Sequence, residues 1–151
     1  MSPTRRTLLI AGALCLAPVM RSTSARAQAA RIYQKGGFAL GGADPVAYFE
    51  EGRARRGSSA HRADWNGAVW LFVDARNRDR FIADPEAFAP QYGGFCAWAA
   101  ARGYAASTIP EAWAIVDGKL YLNYSRRIHR SWERNREADI RSADENWPNI
   151  F

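Results

Sequence analysis

The chain has 151 residues, of which 48% are hydrophobic, 24% charged and 13% aromatic. This length and apolar content suit one domain with an aromatic-rich core, and they exclude a disordered, collagen-like or solenoid chain. The formal charge of +6 and the pI of about 9.8 are typical of nucleic-acid-binding proteins. Whether this chain belongs to that class depends on where its basic residues lie.

The first thirty residues have the layout of a secretory signal peptide. The pair Arg5-Arg6 precedes an apolar stretch, Leu8–Met20, and small residues follow. We therefore predict a twin-arginine signal peptide over residues 1–29, cleavage after Ala27 or Ala29, and export to the bacterial periplasm. A membrane-spanning helix needs about 20 apolar residues, more than this stretch contains. No stable membrane anchor is therefore expected after cleavage.

Removal of residues 1–27 changes both the charge and the cysteine count. The remaining chain has 17 Lys and Arg against 15 Asp and Glu, a formal charge of +2. A domain of this size with so small a charge is not expected to bind nucleic acid. Cys96 is the one cysteine left, so no internal disulfide is expected in an oxidising compartment. Such a thiol is either buried and inert or exposed and functional.

The sequence of the exported chain predicts a small α+β domain with two β-hairpins and several short helices. Residues 30–37 are expected to form a flexible arm ahead of a domain over residues 38–151. The predicted elements, in order, are a helix capped by Asp44, a hairpin around Asn66-Gly67, a helix over Ala75–Ala83 capped by Asp74, a helical turn from Asp84 to Phe88, an Ala-rich helix after Gly94, a hairpin around Asp117-Gly118, a helix capped by Ser125 and a last helical turn within residues 138–147. Short polar side chains at the helix starts can accept bonds from free backbone amides, and Asn-Gly and Asp-Gly suit tight hairpin turns. Phe81 and Ile82 are both expected to face inward.

Four of these segments together resemble the YHS domain family, in its secreted form with a C-terminal extension. They are Asp44-Pro45-Val46-Ala47-Tyr48-Phe49, Asn66–Phe72, Phe81–Phe88 and Tyr92-Gly93-Gly94-Phe95-Cys96-Ala97. The resemblance covers residues 38–150. It implies a treble-clef-like fold of hairpins and helices, an association with heavy metals such as copper, and a metal ion or a metalloprotein as partner.

The metal site that the resemblance implies is missing its cysteines. Metal-binding members carry thiolates at positions that correspond here to Ala47, Val73 and Asn77. A replacement set would have to come from Cys96 first and from His129 or His61 second. Thiolate and imidazole ligands would suit copper or zinc, provided that the three side chains converge.

Cys96 and the residues just before it form the other candidate site. Cys96 follows Gly93-Gly94 at a predicted helix start, a position that lowers the pKa of a thiol. Tyr92, Gly93, Gly94 and Phe95 are candidate ligand-binding residues, in a pocket walled by Tyr92, Phe95 and Trp98. The alternative for these residues is a tight turn whose aromatic side chains belong to the core.

No sequence motif of a hydrolase, a phosphate loop, a dinucleotide site or a zinc protease is present. The leading hypothesis is therefore a non-enzymatic, exported binding or accessory domain. Two alternatives remain open: a thiol-dependent redox protein or enzyme that uses Cys96, and a purely structural interaction module.

Overall fold

The computed structural model describes residues 31–151, which combine short helices with separate strand pairs. The strands are β1 (Gln34–Lys35), β2 (Phe38–Ala39), β3 (Ser58–Trp65), β4 (Ala68–Phe72), β5 (Trp113–Val116) and β6 (Lys119–Leu122). The α-helices are α1 (Pro45–Glu50), α2 (Ala75–Ala83), α3 (Pro85–Phe88), α4 (Ala97–Ala100), α5 (Arg126–Arg134) and α6 (Arg136–Asn146), and 3₁₀ segments lie at Leu40–Gly42, Gln91–Gly94 and Trp147–Asn149. Consecutive strands pair as antiparallel hairpins, three of them in the described residues. The predicted α+β class is confirmed, with one hairpin more than expected.

The two predicted hairpins turn at the expected residues. Asn66 and Gly67 have φ angles of 49° and 72°, and Asp117 and Gly118 have φ angles of 50° and 73°. A two-residue turn of this kind requires both central residues in the left-handed region, which Asn, Asp and Gly tolerate best. The residues that flank each turn pair directly across their hairpin.

The third hairpin, β1–β2, replaces most of the flexible arm that was expected at residues 30–37. Gly36 and Gly37 form its turn, both with positive φ. Ile32 ahead of it is only 8% exposed, and the Tyr33 backbone N–H donates to the Gly93 carbonyl at 2.9 Å. The burial of Ile32 and the backbone hydrogen bond of Tyr33 explain why this segment packs on the domain, and the Gly36-Gly37 turn lets the chain reverse there.

The predicted helix caps are confirmed. The side chains of Asp44, Asp74 and Ser125 each accept hydrogen bonds from backbone N–H groups two or three residues further on. In α2, however, Phe81 is fully buried while Ile82 is 58% exposed. Consecutive helical residues point about 100° apart, so the prediction that Ile82 faces inward is wrong.

The buried side chains form two cores that share strand β6. Leu120 and Leu122 belong to the first core, which contains Trp70 and is built largely on β3, β4, α1 and α2. Tyr121 points to the opposite face and joins the second core, which contains Trp132 of α5. Successive strand residues alternate between faces, so one short strand serves both cores. The residues that directly follow β6 therefore start from a position between the two cores.

The predicted signal peptide, residues 1–29, lies outside the described residues. The same holds for its cleavage position, and the periplasmic location stays a prediction. Among residues 31–151, no helix has the length and apolar character that crossing a membrane requires.

Candidate functional site

The three positions at which the YHS resemblance expects cysteines meet at one buried carboxylate. Asp44 is fully buried, and its Oδ1 accepts a hydrogen bond from the Ala47 backbone N–H at 3.2 Å. Its Oδ2 accepts from the Val73 backbone N–H at 2.9 Å and from the Asn77 side-chain amide at 2.8 Å. We call these four residues the Asp44 hub. Hydrogen bonds hold these three positions together here, and none of the three supplies a thiolate.

Cys96 lies at the junction of β6 and α4. The residue is 1% exposed and forms an isolated parallel bridge with Leu122. The Cys96 thiol donates to Oδ1 of Asn123, with 3.6 Å between Sγ and Oδ1, and the Tyr124 backbone N–H donates to Sγ at 3.3 Å. The sulfur is therefore held by the two residues that follow β6.

Asn123 connects this thiol to an imidazole. Its side chain is fully buried, and its Oδ1 also accepts a hydrogen bond from the Trp98 backbone N–H at 3.1 Å. Its Nδ2 lies 3.3 Å from His129 Nδ1. Because an amide nitrogen donates, Nδ1 accepts, and the neutral imidazole then carries its proton on Nε2. We call Cys96, Asn123 and His129 the thiol–amide–imidazole cluster.

Burial favours the uncharged form of both titratable members of this cluster. Burial raises the pKa of the Cys96 thiol, against the opposing effect of nearby backbone N–H groups and of Arg102. Burial also lowers the pKa of His129, an effect that Arg130 reinforces and Glu133 opposes. The expectation that the helix start lowers the thiol pKa is therefore wrong, because desolvation of a buried thiolate outweighs the four-residue helix.

An apolar pocket of about 230 Å³ opens beside the Cys96 thiol. We call it the Cys96 pocket; besides Cys96, its walls are Trp98, Ala99, Tyr104, Ala106, Tyr124 and Ile128. Tyr104 and Tyr124 are 47% and 55% exposed, so two tyrosine rings stand partly in solvent at the pocket. A concave, mostly apolar surface with a few polar groups is the usual form of a small-ligand site.

Tyr92, Gly93, Gly94 and Phe95 do not line this pocket. A Cβ on Gly93 would lie 1.5 Å from the Arg31 carbonyl oxygen, and one on Gly94 would lie 2.2 Å from a Leu40 methyl group. Both glycines are thus required by close packing of the N-terminal segment, and Gly93 alone of the four residues lines a separate hollow, of about 200 Å³, beside Arg31 and Trp147.

The aromatic residues of the same segment also serve packing. The Tyr92 hydroxyl donates to Asp144 at 2.9 Å, and its ring packs against Tyr121 and Trp147. The Phe95 ring packs against Tyr33 and Trp147. Of the three aromatic residues expected to wall a pocket, Trp98 alone does so.

The predicted Cys96, His129 and His61 set is not assembled. His61 lies on β3 at a bulge in the first predicted hairpin, and its buried Nδ1 has no partner in the described chain. Within residues 31–151, no three Cys, His, Asp or Glu residues are grouped so that they could hold a metal ion. Cys96 and His129 do not contact each other, but each forms a hydrogen bond with the side chain of Asn123.

Sequence reasoning missed Asn123 and the pocket walls Tyr104, Ala106, Tyr124 and Ile128. One signal for Asn123 was available, because it is a polar residue that directly follows the apolar strand β6. The pocket walls come from separate segments, and only the tertiary fold brings them together.

No family model matches this chain, and neither a curated protein nor a solved structure does. Its function must therefore be argued from the geometry of the Asp44 hub, the thiol–amide–imidazole cluster and the Cys96 pocket.

Proposed function

We propose that this chain is a non-enzymatic binding module of the exported YHS type, and that the Cys96 pocket is its ligand site. The observation that carries the proposal is an apolar pocket of about 230 Å³ that is lined in part by Cys96, whose thiol is held by hydrogen bonds. Apolar walls favour the transfer of an apolar ligand from water.

The Asp44 hub supports the YHS part of this proposal. Val73 and Asn77 lie 29 and 33 residues from Asp44 in sequence, yet both donate to its carboxylate, which also accepts the helix-cap bond from Ala47. Such convergence is what a common ligand site at these three positions would require. None of the three positions supplies a thiolate here, so we place the binding function at the Cys96 pocket instead.

The geometry supports binding over thiol catalysis. A Cys–His nucleophile needs the imidazole within hydrogen-bond reach of the sulfur, whereas Asn123 stands between Cys96 and His129. Burial also raises the pKa of the thiol, which lowers the fraction of reactive thiolate at neutral pH. A thiol-dependent enzyme would have to overcome both obstacles.

The proposal is tested by ligand-observed and protein-observed NMR on the purified protein. The probes are 3-phenylpropionate, 3-phenylpropan-1-ol and 3-phenylpropylamine, which share one apolar body and differ in charge. We expect at least one of them to bind with a Kd of about 1 mM or tighter and to shift the amide signals of the pocket residues.

A matched pair of variants locates the binding. Ala106 lines the pocket, so Ala106→Phe should fill it and abolish binding; the neighbouring Ala105 does not line it, so Ala105→Phe should leave binding intact. If no probe binds, or if Ala106→Phe folds and still binds as well as the parent protein, the pocket is not a ligand site.

Cu(I) is a second candidate ligand, because Cys96 and His129 lie on either side of the same side chain, Asn123. Soft thiolate ligands select Cu(I), whereas structural zinc sites almost always take four protein ligands, which this pair does not provide. We expect stoichiometric Cu(I) binding that is lost in Cys96→Ser and weakened in His129→Gln. His61→Gln supplies the control, and binding retained in Cys96→Ser would contradict a role for this cluster.

A further inference from the structure

One positively charged side chain, Arg102, contacts a wall of the Cys96 pocket. The Arg102 guanidinium stacks 3.7 Å above the ring of Trp98, a pocket wall. The charges of Arg102 and Arg130 also act on the Cys96 thiol and on His129, respectively. Cations therefore lie near both a wall of the pocket and the thiol–amide–imidazole cluster.

Helix α5, which supplies Ile128 to the pocket, adds to this positive charge. Its first two residues are Arg126 and Arg127, both exposed, and its first turn has no acidic residue. The N-terminal end of a helix already carries partial positive charge, so cations there are unfavourable. Neither of these arginines forms an ion pair among residues 31–151, and neither does Arg130.

The nearby carboxylates only partly offset these arginines. Asp139 lies 3.3 Å from Arg102, and Glu133 lies 3.3 Å from Arg136 and 3.8 Å from the His129 ring. Arg126, Arg127 and Arg130 are exposed and lie in no ion pair of the described residues. Helix α5, which supplies one pocket wall, therefore adds net positive charge near the pocket, with Arg127 closer in direction to Ile128 than Arg126 and Arg130 are.

The dimensions of the pocket limit the apolar part of its ligand. An apolar cavity of about 150 Å³ accommodates benzene, and this pocket measures about 230 Å³. One aromatic ring with a short chain, or an alkyl chain of similar volume, would fill it. The partly exposed Tyr104 and Tyr124 rings extend the apolar surface towards solvent.

We infer that the ligand of the Cys96 pocket is a small organic anion with an apolar body, an inference that rests on the proposed function. The apolar body lies between Trp98 and Ile128, next to the thiol. The carboxylate stays at the solvent side, in the positive field of Arg102 and of the α5 arginines. The cluster needs no change of protonation state for this binding.

The charge series of probes tests the inference separately from the proposed function. We expect 3-phenylpropionate to bind about three- to tenfold more tightly than 3-phenylpropan-1-ol, and 3-phenylpropylamine to bind most weakly. The advantage of the carboxylate should shrink in 1 M salt, where the Debye length is about 3 Å. Equal affinities for the three probes would overturn the inference and leave the proposed function standing.

Charge-removing variants identify the arginines concerned. The double variant Arg127→Gln with Arg130→Gln should weaken 3-phenylpropionate about threefold and leave the alcohol unchanged. Arg76→Gln is the matched control, because Arg76 is an exposed helical arginine of α2, which contributes no wall to the pocket. A loss of carboxylate affinity in Arg76→Gln as large as in the double variant would overturn the inference. The triple variant Arg102→Gln, Arg127→Gln and Arg130→Gln gives a further test. If it still binds 3-phenylpropionate more tightly than the alcohol by the same factor as the parent protein, the inference is also overturned. Absence of binding by all three probes is the separate outcome that overturns the proposed function itself.

Discussion

Among single residues, Asn123 has the largest share in organising the site. Its side chain accepts from the Cys96 thiol and the Trp98 N–H and donates to His129. A buried amide satisfied on both ends rigidifies its neighbours, and a partner left unsatisfied there costs the full desolvation penalty. Asn123 thus determines the position of the thiol, the tautomer of the imidazole and the start of α4.

Replacement of this amide should therefore destabilise the protein. Asn123→Ala leaves the Trp98 N–H buried without its acceptor, so we expect the free energy of unfolding to fall by about 2–3 kcal/mol. Urea denaturation followed by tryptophan fluorescence measures the change. The exposed Asn149 provides the control, because Asn149→Ala should change stability by less than about 0.5 kcal/mol. Similar stabilities for both variants would contradict the structural role of Asn123.

His129 should make stability depend on pH near neutrality. Burial lowers the pKa of His129 from the ordinary value of 6.5, so the unfolded chain takes up this proton more readily than the folded one. Stability should therefore decrease as pH falls through 6.5, and the decrease from this group should end below its folded pKa. His129→Gln should flatten the stability profile between pH 7 and the onset of carboxylate protonation near pH 5. An unchanged profile would mean that His129 is solvated in the folded protein.

At the scale of elements, the N-terminal hairpin is held by the 3₁₀ segment Gln91–Gly94. The Tyr33 N–H donates to the Gly93 carbonyl, and Gly93 has a φ of 60°. No side chain fits at this glycine, because a Cβ would lie 1.5 Å from the Arg31 carbonyl oxygen. The Gly-Gly pair that the YHS resemblance emphasises is thus a docking point for β1–β2.

Two glycine substitutions separate backbone strain from this close approach. Gly93 and Gly103 both have positive φ, but a Cβ on Gly103 would meet nothing within 4 Å. Gly103→Ala should cost about 1–2 kcal/mol from conformational strain alone. Gly93→Ala should cost clearly more and should speed hydrogen exchange at the Tyr33 amide, as measured by NMR. Equal costs would mean that the N-terminal segment does not need this contact.

At the scale of the whole molecule, the two cores share strand β6. Leu120 is fully buried in the first core and Trp132 in the second, while Tyr121 between them packs on Trp132 with ring centroids 5.4 Å apart. Neither core can lose this strand without disturbing the other. The domain should therefore unfold as one cooperative unit.

The coupling of the cores is tested with one variant in each. Leu120→Ala removes apolar contacts from the first core and should cost about 2–5 kcal/mol. Trp132→Phe is the variant in the second core. Within each variant, far-UV circular dichroism and tryptophan fluorescence should give the same urea midpoint. Two separate transitions in either variant would show that the cores unfold independently.

The sequence alone determined most elements of this domain and the turns of two of its hairpins. The Asn-Gly and Asp-Gly turns, the caps at Asp44, Asp74 and Ser125 and the α+β class depend on contacts between close neighbours in the chain, so local chemistry is enough to predict them. Cys96 could be singled out from the sequence as a candidate, because it is the one cysteine left after removal of residues 1–27. The docking of residues 31–37 and the outward face of Ile82 depended on packing, and the sequence-based expectations failed there.

Only the tertiary structure decided what surrounds Cys96. The pocket walls come from α4, from the loop that carries Tyr104 and Ala106, and from the junction of β6 and α5. Asn123 lies 27 residues from Cys96 along the chain, yet the two side chains are in contact. Whether a thiol is acidic or neutral follows from its desolvation, and desolvation is a property of packing that no local pattern contains. The same packing separates His61 from the cluster and places His129 within it.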